Sequence, residues 1–178
     1  MNSIFLILSE RISRAIAISP NYFNPEKSII TISVYILFTL AVGYQTKFLQ
    51  WQPHWGRIAI NVILTSLIAP AILEELVFRV VLLPSPSSSV SAKSYFFWSI
   101  LSLFLFVIYH PLNAVTFYPQ GKIFFTPVFL ILAGALGICC TIVYWQTNSL
   151  WLPVTVHWLA VVFWLLCFSG LEKLNYKV

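Results

Sequence analysis

The stretch Glu74-Glu75-Leu76-Val77-Phe78-Arg79 sets three charged side chains within six residues, near the end of the apolar run from Ile58 to Leu83. A charge at the centre of a membrane helix costs about 2.5–3.5 kcal/mol on insertion scales, whereas each flanking Leu, Ile or Val returns only about 0.3–0.6 kcal/mol. Whether the run is a soluble core helix or a membrane span follows from the rest of the chain. Of 178 residues, 60% are hydrophobic and 8% charged, and the mean hydropathy of +0.89 lies far outside the range of soluble domains. The expected class is therefore all-α: a multi-pass, integral membrane helix bundle. The chain has no Asp, and its five acidic residues are Glu10, Glu26, Glu74, Glu75 and Glu172. Two of the five thus sit side by side inside an apolar segment.

Working outward, Pro84-Ser85-Pro86-Ser87-Ser88-Ser89 ends the charged span, since neither proline nor serine runs continue a helix. Before it, Ile29–Phe48 supplies about 20 mostly apolar residues, enough for a hydrocarbon core of about 30 Å. Lys47 to Arg57, with Trp51, Pro53 and Trp55, has the composition of an interfacial loop, in which His54 is expected to be solvated. After it, Tyr95–Tyr109 forms a short third span closed by His110-Pro111, because a proline disfavours helical geometry at the residue before it. Leu112 to Gly121 is expected to be a loop carrying Asn113. Phe124–Trp145 is a fourth span, whose Gly134 and Gly137 allow close approach of a neighbour. Gln146-Thr147-Asn148 turns the chain into a fifth span, Ser149–Leu171, which contains Pro153 and His157.

Residues 1–28, with Arg11 and Arg14 and no signal-peptide cleavage site, form an expected amphipathic helix on the membrane surface, and residues 29–178 the transmembrane domain. The net charge of +5 comes from Lys and Arg at segment ends, which points to the lipid bilayer and away from nucleic acid as a partner. Cys139, Cys140 and Cys167 lack metal-ligand spacing and read as small buried hydrophobes.

On a helix, Glu75 and Arg79 are four residues apart and meet on one face, where they can pair. Glu74 is turned about 100° away and has no partner in its own helix. A carboxylate so placed, desolvated but reachable by a trapped water, suits proton abstraction. Counting at about 1.5 Å per residue puts Glu74 and His157 at similar depth, roughly 12–14 Å from one surface, so they can face each other. His110 falls farther from that surface, nominally about 22 Å, which a tilted helix shortens.

Glu74-Glu75-x-x-x-Arg79, then Phe106-x-x-x-His110, then His157 in a late apolar helix resemble the three signatures of the CAAX-processing and bacteriocin-processing (CPBP) intramembrane proteases, which include the type II CAAX prenyl endopeptidases. The resemblance covers about residues 57 to 171. It implies a glutamic-type endopeptidase without covalent intermediate, acting on a membrane-associated or lipidated protein or peptide. By that resemblance Glu74, helped by His110, activates water, Glu75 and Arg79 shape the site, and His157 helps to stabilise the oxyanion. One position departs. The family usually carries Asn four residues after the last histidine, and this chain has Val161, which donates no hydrogen bond. Asn113 is the candidate substitute donor if the segment after His110 folds back.

Plainer readings stand beside these. The Glu75–Arg79 pair alone could be a structural lock between helices, His110 a helix-ending residue bonded to a carbonyl, and His157 an interhelical hydrogen bond. Two histidines and a glutamate also suit zinc, although no His-Glu-x-x-His helix occurs, and the cofactor expectation is none. The alternative function is a catalytically weak or inactive relative that uses the cavity as a membrane scaffold or immunity-type binding protein.

Overall fold

A computed structural model describes residues 2–17, 25–86, 90–116 and 121–174, and these are almost wholly helical. The order is α1 (Asn2–Ala17), α2 (Pro25–Gln45), α3 (Arg57–Val81), α4 (Ala92–Thr116), a 3₁₀ turn (Lys122–Phe125), α5 (Pro127–Thr147), α6 (Trp151–Cys167) and the short α7 (Gly170–Lys173). Four helices, α2 to α5, are long and apolar enough to cross a membrane, and α6 is a shorter apolar helix. The protein is an integral, multi-pass membrane protein. With 17 residues, α6 reaches the lower end of the spanning range, which is about 17–25 residues.

The predicted spans sit within a few residues of the observed helices, with one exception. The third span does not close at His110-Pro111: α4 runs through the proline to Thr116. Pro111 forfeits one ladder hydrogen bond, and membrane helices accommodate that loss where other groups satisfy the freed carbonyls. Asn113 therefore lies on a helix, one turn beyond His110, and not in a loop. The proposed break from Pro20 to Pro25 falls mostly outside the described residues, as do Ser87-Ser88-Ser89.

The hub is α5, with more than half of its most apolar window buried against about a tenth for α2 and α4. A Cβ on Gly137 would come within 2.8 Å of Leu103 Cδ1 and 3.0 Å of Phe106 Cδ1 of α4, so any larger residue requires these side chains to shift. Gly134, with its nearest neighbour at 3.7 Å, does not impose the same limit. At the other end, Asn148 takes a left-handed conformation (φ 52°) and ends α5 by donating its N–H to the Tyr144 carbonyl at 2.8 Å.

The N-terminal helix α1, expected from the sequence to lie on the membrane surface, is docked against the bundle. Ala15 of α1 is buried among Ala71, Val80, Leu83, Tyr144, Leu150 and Val154, while Phe5, Leu6 and Ile7 stay exposed. Arg11 donates to the carbonyls of Val81 and Leu83, which lie at a helix end where backbone acceptors lack intrahelical partners. Helix α1 is thereby tied to the end of the charged helix α3.

Within α3 the helix is interrupted. Ala69 is extended (φ −130°, ψ 115°) immediately before Pro70, the conformation a following proline favours. Beyond Glu75 the turns widen, so that the Leu82 N–H reaches back five residues to the Val77 carbonyl at 3.1 Å. Wide turns of this type recur at functional sites. The glutamates thus occupy a short regular segment, Leu73–Glu75, between a break and a widened helix.

Candidate active site

Glu75 and Arg79 form the predicted pair: Arg79 Nε lies 3.1 Å from Glu75 Oε2, and both side chains are fully buried. The guanidinium also approaches Ser102 Oγ of α4 at 3.4 Å and lies 5.1 Å from the Phe106 ring centroid, where the ring quadrupole favours a cation. Ser102 in turn donates to the Phe78 carbonyl at 2.6 Å. Neither Ser102 nor Phe106's contact with Arg79 was signalled by spacing in the sequence.

His157 joins this pair. Its Nδ1 is 2.8 Å from Glu75 Oε1, and its Nε2 is 3.9 Å from Glu74 Oε2. Facing depth was legible from counting, but the primary partner of His157 is the neighbouring glutamate. The imidazole is wedged between the two carboxylates, bonded to one and turned toward the other.

His110 takes its orientation from its own helix. Its Nδ1 lies 2.8 Å from the Phe106 carbonyl. A carbonyl can only accept, so Nδ1 carries the proton, and in the neutral ring Nε2 presents a lone pair. Phe106 separates the two imidazoles edge-on, with centroid distances of 4.9 Å to His110 and 5.9 Å to His157.

Glu74, His110, Asn113, His157 and Val161 all line one cavity of about 470 Å³. Its walls are otherwise mainly apolar, with Phe124, Phe129, Leu132, Leu136 and Trp164, and its polar points include Asn61, Thr65 and Ser66 of α3. Sequence reasoning passed over these three, although their spacing on α3 sets Asn61 and Thr65 on one face, the Thr65 hydroxyl donating to the Asn61 carbonyl at 2.8 Å. Glu75 and Arg79 do not line the cavity. The cavity size matches a small-molecule or peptide-sized site, where apolar walls surround a few convergent polar groups.

One end of the cavity is framed by the segment after α2 and by α7, through Phe48, Leu49, Leu171 and Leu174. Here His54 is partnered, not solvated: its Nε2 pairs with Glu172, and its N–H donates to the Leu166 carbonyl at 2.8 Å. Gln52 N–H likewise bonds the Cys167 carbonyl at 2.8 Å. These partners lie more than a hundred residues apart in the chain, so no local pattern announces them. On the same rim, partial burial holds Lys173 below the ordinary lysine pKa, with Glu172 opposing the effect.

The cysteines are free and buried, in keeping with their apolar contexts. Among the described residues no group of three or more His, Cys, Asp or Glu side chains is arranged to hold a metal ion.

The chain matches a family model described as Type II CAAX prenyl endopeptidase Rce1-like over residues 54–163. No curated protein and no solved structure matches it. The matched region takes in both glutamates, Arg79 and both cavity histidines.

Proposed function

The chain belongs to the type II CAAX prenyl endopeptidase Rce1-like family, and from that premise we propose that it is an intramembrane endopeptidase using a glutamate-activated water. The observation that carries the reading is the division between the adjacent carboxylates. Glu75 is sealed with Arg79, whereas Glu74 faces the cavity beside His110 and His157. Glu74, assisted by the lone pair on His110 Nε2, takes a proton from water as the oxygen attacks the scissile carbonyl. The tetrahedral oxyanion is stabilised from the His157 side of the cavity. Glu74 then returns its proton to the leaving amine as the C–N bond breaks. The substrate is a membrane-associated or lipidated protein whose scissile segment enters the cavity. No metal takes part in this reading.

A second reading is a binding protein that holds such a partner without cutting it. Val161 favours it, because it lines the cavity one turn beyond His157 and donates nothing. Hydrolysis of mixed lipidated and transmembrane peptides by the detergent-purified protein separates the two. Cleavage that Glu74→Gln abolishes and a zinc chelator leaves intact supports the glutamate mechanism. Loss with chelator moves the chemistry to a metal, and binding without cleavage in either form favours the second reading.

A further inference from the structure

Glu75 cannot touch a substrate, since its carboxylate is fully buried and outside the cavity wall. One of its oxygens lies against Arg79 Nε and the other against His157 Nδ1. A buried guanidinium requires an anionic neighbour, and Glu75 is the carboxylate in contact with it, so Glu75 is ionised and can only accept. His157 Nδ1 must therefore carry the proton. In the neutral ring, Nε2 is then a lone pair, unable to donate to an oxyanion. Yet Nε2 is the ring nitrogen turned toward Glu74, at 3.9 Å.

We propose that Glu75 is the positioning residue that fixes the proton of His157 on Nδ1, so that His157 meets the oxyanion as an imidazolium donating from Nε2. The inference rests on the protease reading and assigns a protonation state to its oxyanion donor. The groups facing His157 fit this state. From α3 come two carboxylates, Glu74 and Glu75, and one guanidinium, Arg79. From α4 comes His110, whose Nδ1 is already committed to the Phe106 carbonyl. On α5, Cys140 is buried and directs its thiol to the Pro153 carbonyl of α6 at 3.7 Å. With Arg79 balanced by Glu75, the charge of Glu74 remains to support the imidazolium.

The step balances. Water gives one proton to Glu74, and its oxygen bonds the carbonyl carbon while the C=O π electrons move to oxygen. His157 Nε2–H hydrogen-bonds that oxyanion and keeps its proton. On collapse the C–N bond breaks, and the amine takes the proton held by Glu74. A charged donor is roughly twice as strong as a neutral one, which suits a site where the side chain one turn on, Val161, supplies no second donor.

The test is ¹⁵N spectroscopy of histidine-labelled protein in detergent, with His157 assigned by the loss of its signals in His157→Gln. The expected wild-type spectrum shows both ring nitrogens of His157 protonated in the active protein, and the proton on Nδ1 in whatever fraction of the ring is neutral. Glu75→Gln leaves Arg79 bare and threatens the fold, so the companion variant is the charge-balanced Glu75→Gln/Arg79→Gln. It is expected to show mixed tautomers at His157 and a kcat lower by about 100-fold, with KM within about twofold. A neutral wild-type ring protonated on Nε2, or a double variant with unchanged kcat, overturns the proposal. The spectrum needs no turnover, so loss of the protease reading through an active Glu74→Gln variant is a separate result.

Discussion

Glu74 and Glu75 are consecutive in the chain, and the regions around them have opposite characters. Around Glu75 the charges are buried and face another charge or a ring: Arg79, His157 and the face of Phe106. Around Glu74 the walls open into a cavity whose polar groups converge without closing on one another. One residue of helix rotation, about 100°, separates a carboxylate sealed against Arg79 from one that lines the cavity. The difference shows how a membrane helix can carry two carboxylates: one is paired with a cation within the fold and also contacts His157, and the other is left to the cavity.

The contrast can be broken most severely on the closed side. Arg79→Met strips Glu75 of its cation and is expected to destabilise the protein by about 3–5 kcal/mol, the usual consequence of an uncompensated buried charge. A thermal or denaturant midpoint in detergent measures it, and an unchanged midpoint would show that the pair is not the anchor. The open side can be sharpened by adding what it lacks. Val161→Asn places a hydrogen-bond donor one turn beyond His157, and a full oxyanion donor is worth about 100–1000-fold in rate. A rise in kcat approaching that range, with KM little changed, is the expected outcome in the peptide assay.

Smaller effects probe how the two regions are held in register. Gly137→Val crowds the Leu103 and Phe106 side chains of α4, and overpacking of this kind costs about 1–3 kcal/mol. Because Phe106 touches both histidines, kcat should fall along with the midpoint. His54→Ala removes the pair with Glu172 at the cavity rim, where both side chains are partly exposed. That change is expected to cost about 0.2–1 kcal/mol, with any kinetic effect confined to KM.

Much of this arrangement was legible in the sequence, for reasons that can be named. The Glu75–Arg79 pair follows from helical spacing alone, and the similar depth of Glu74 and His157 from counting residues along antiparallel spans. Depth, however, leaves rotation about each helix undetermined, and rotation decides that His157 bonds Glu75 before it approaches Glu74. The third span was read too short because a proline normally ends a helix, whereas inside a bundle its lost bond is tolerated and α4 continues to Thr116. Asn113 moved with it, from an expected loop to the cavity wall. The break at Ala69 carries a local signal in Pro70, which the run of apolar residues around it obscured. The partnership of His54 with Glu172 has no local signal, since it depends on the end of α6 returning to the segment before α3.

The claim that the two glutamates divide structure from chemistry is tested most directly by one pair of readings on Glu74→Gln: its thermal midpoint and its rate of peptide hydrolysis, taken on the same preparation beside wild type. The expected result is a midpoint within about 2 °C of wild type, since no anchoring charge is lost, and a rate reduced by about 100- to 10,000-fold, the range for a general base. Hydrolysis at the wild-type rate would contradict the division, as would a variant that fails to fold.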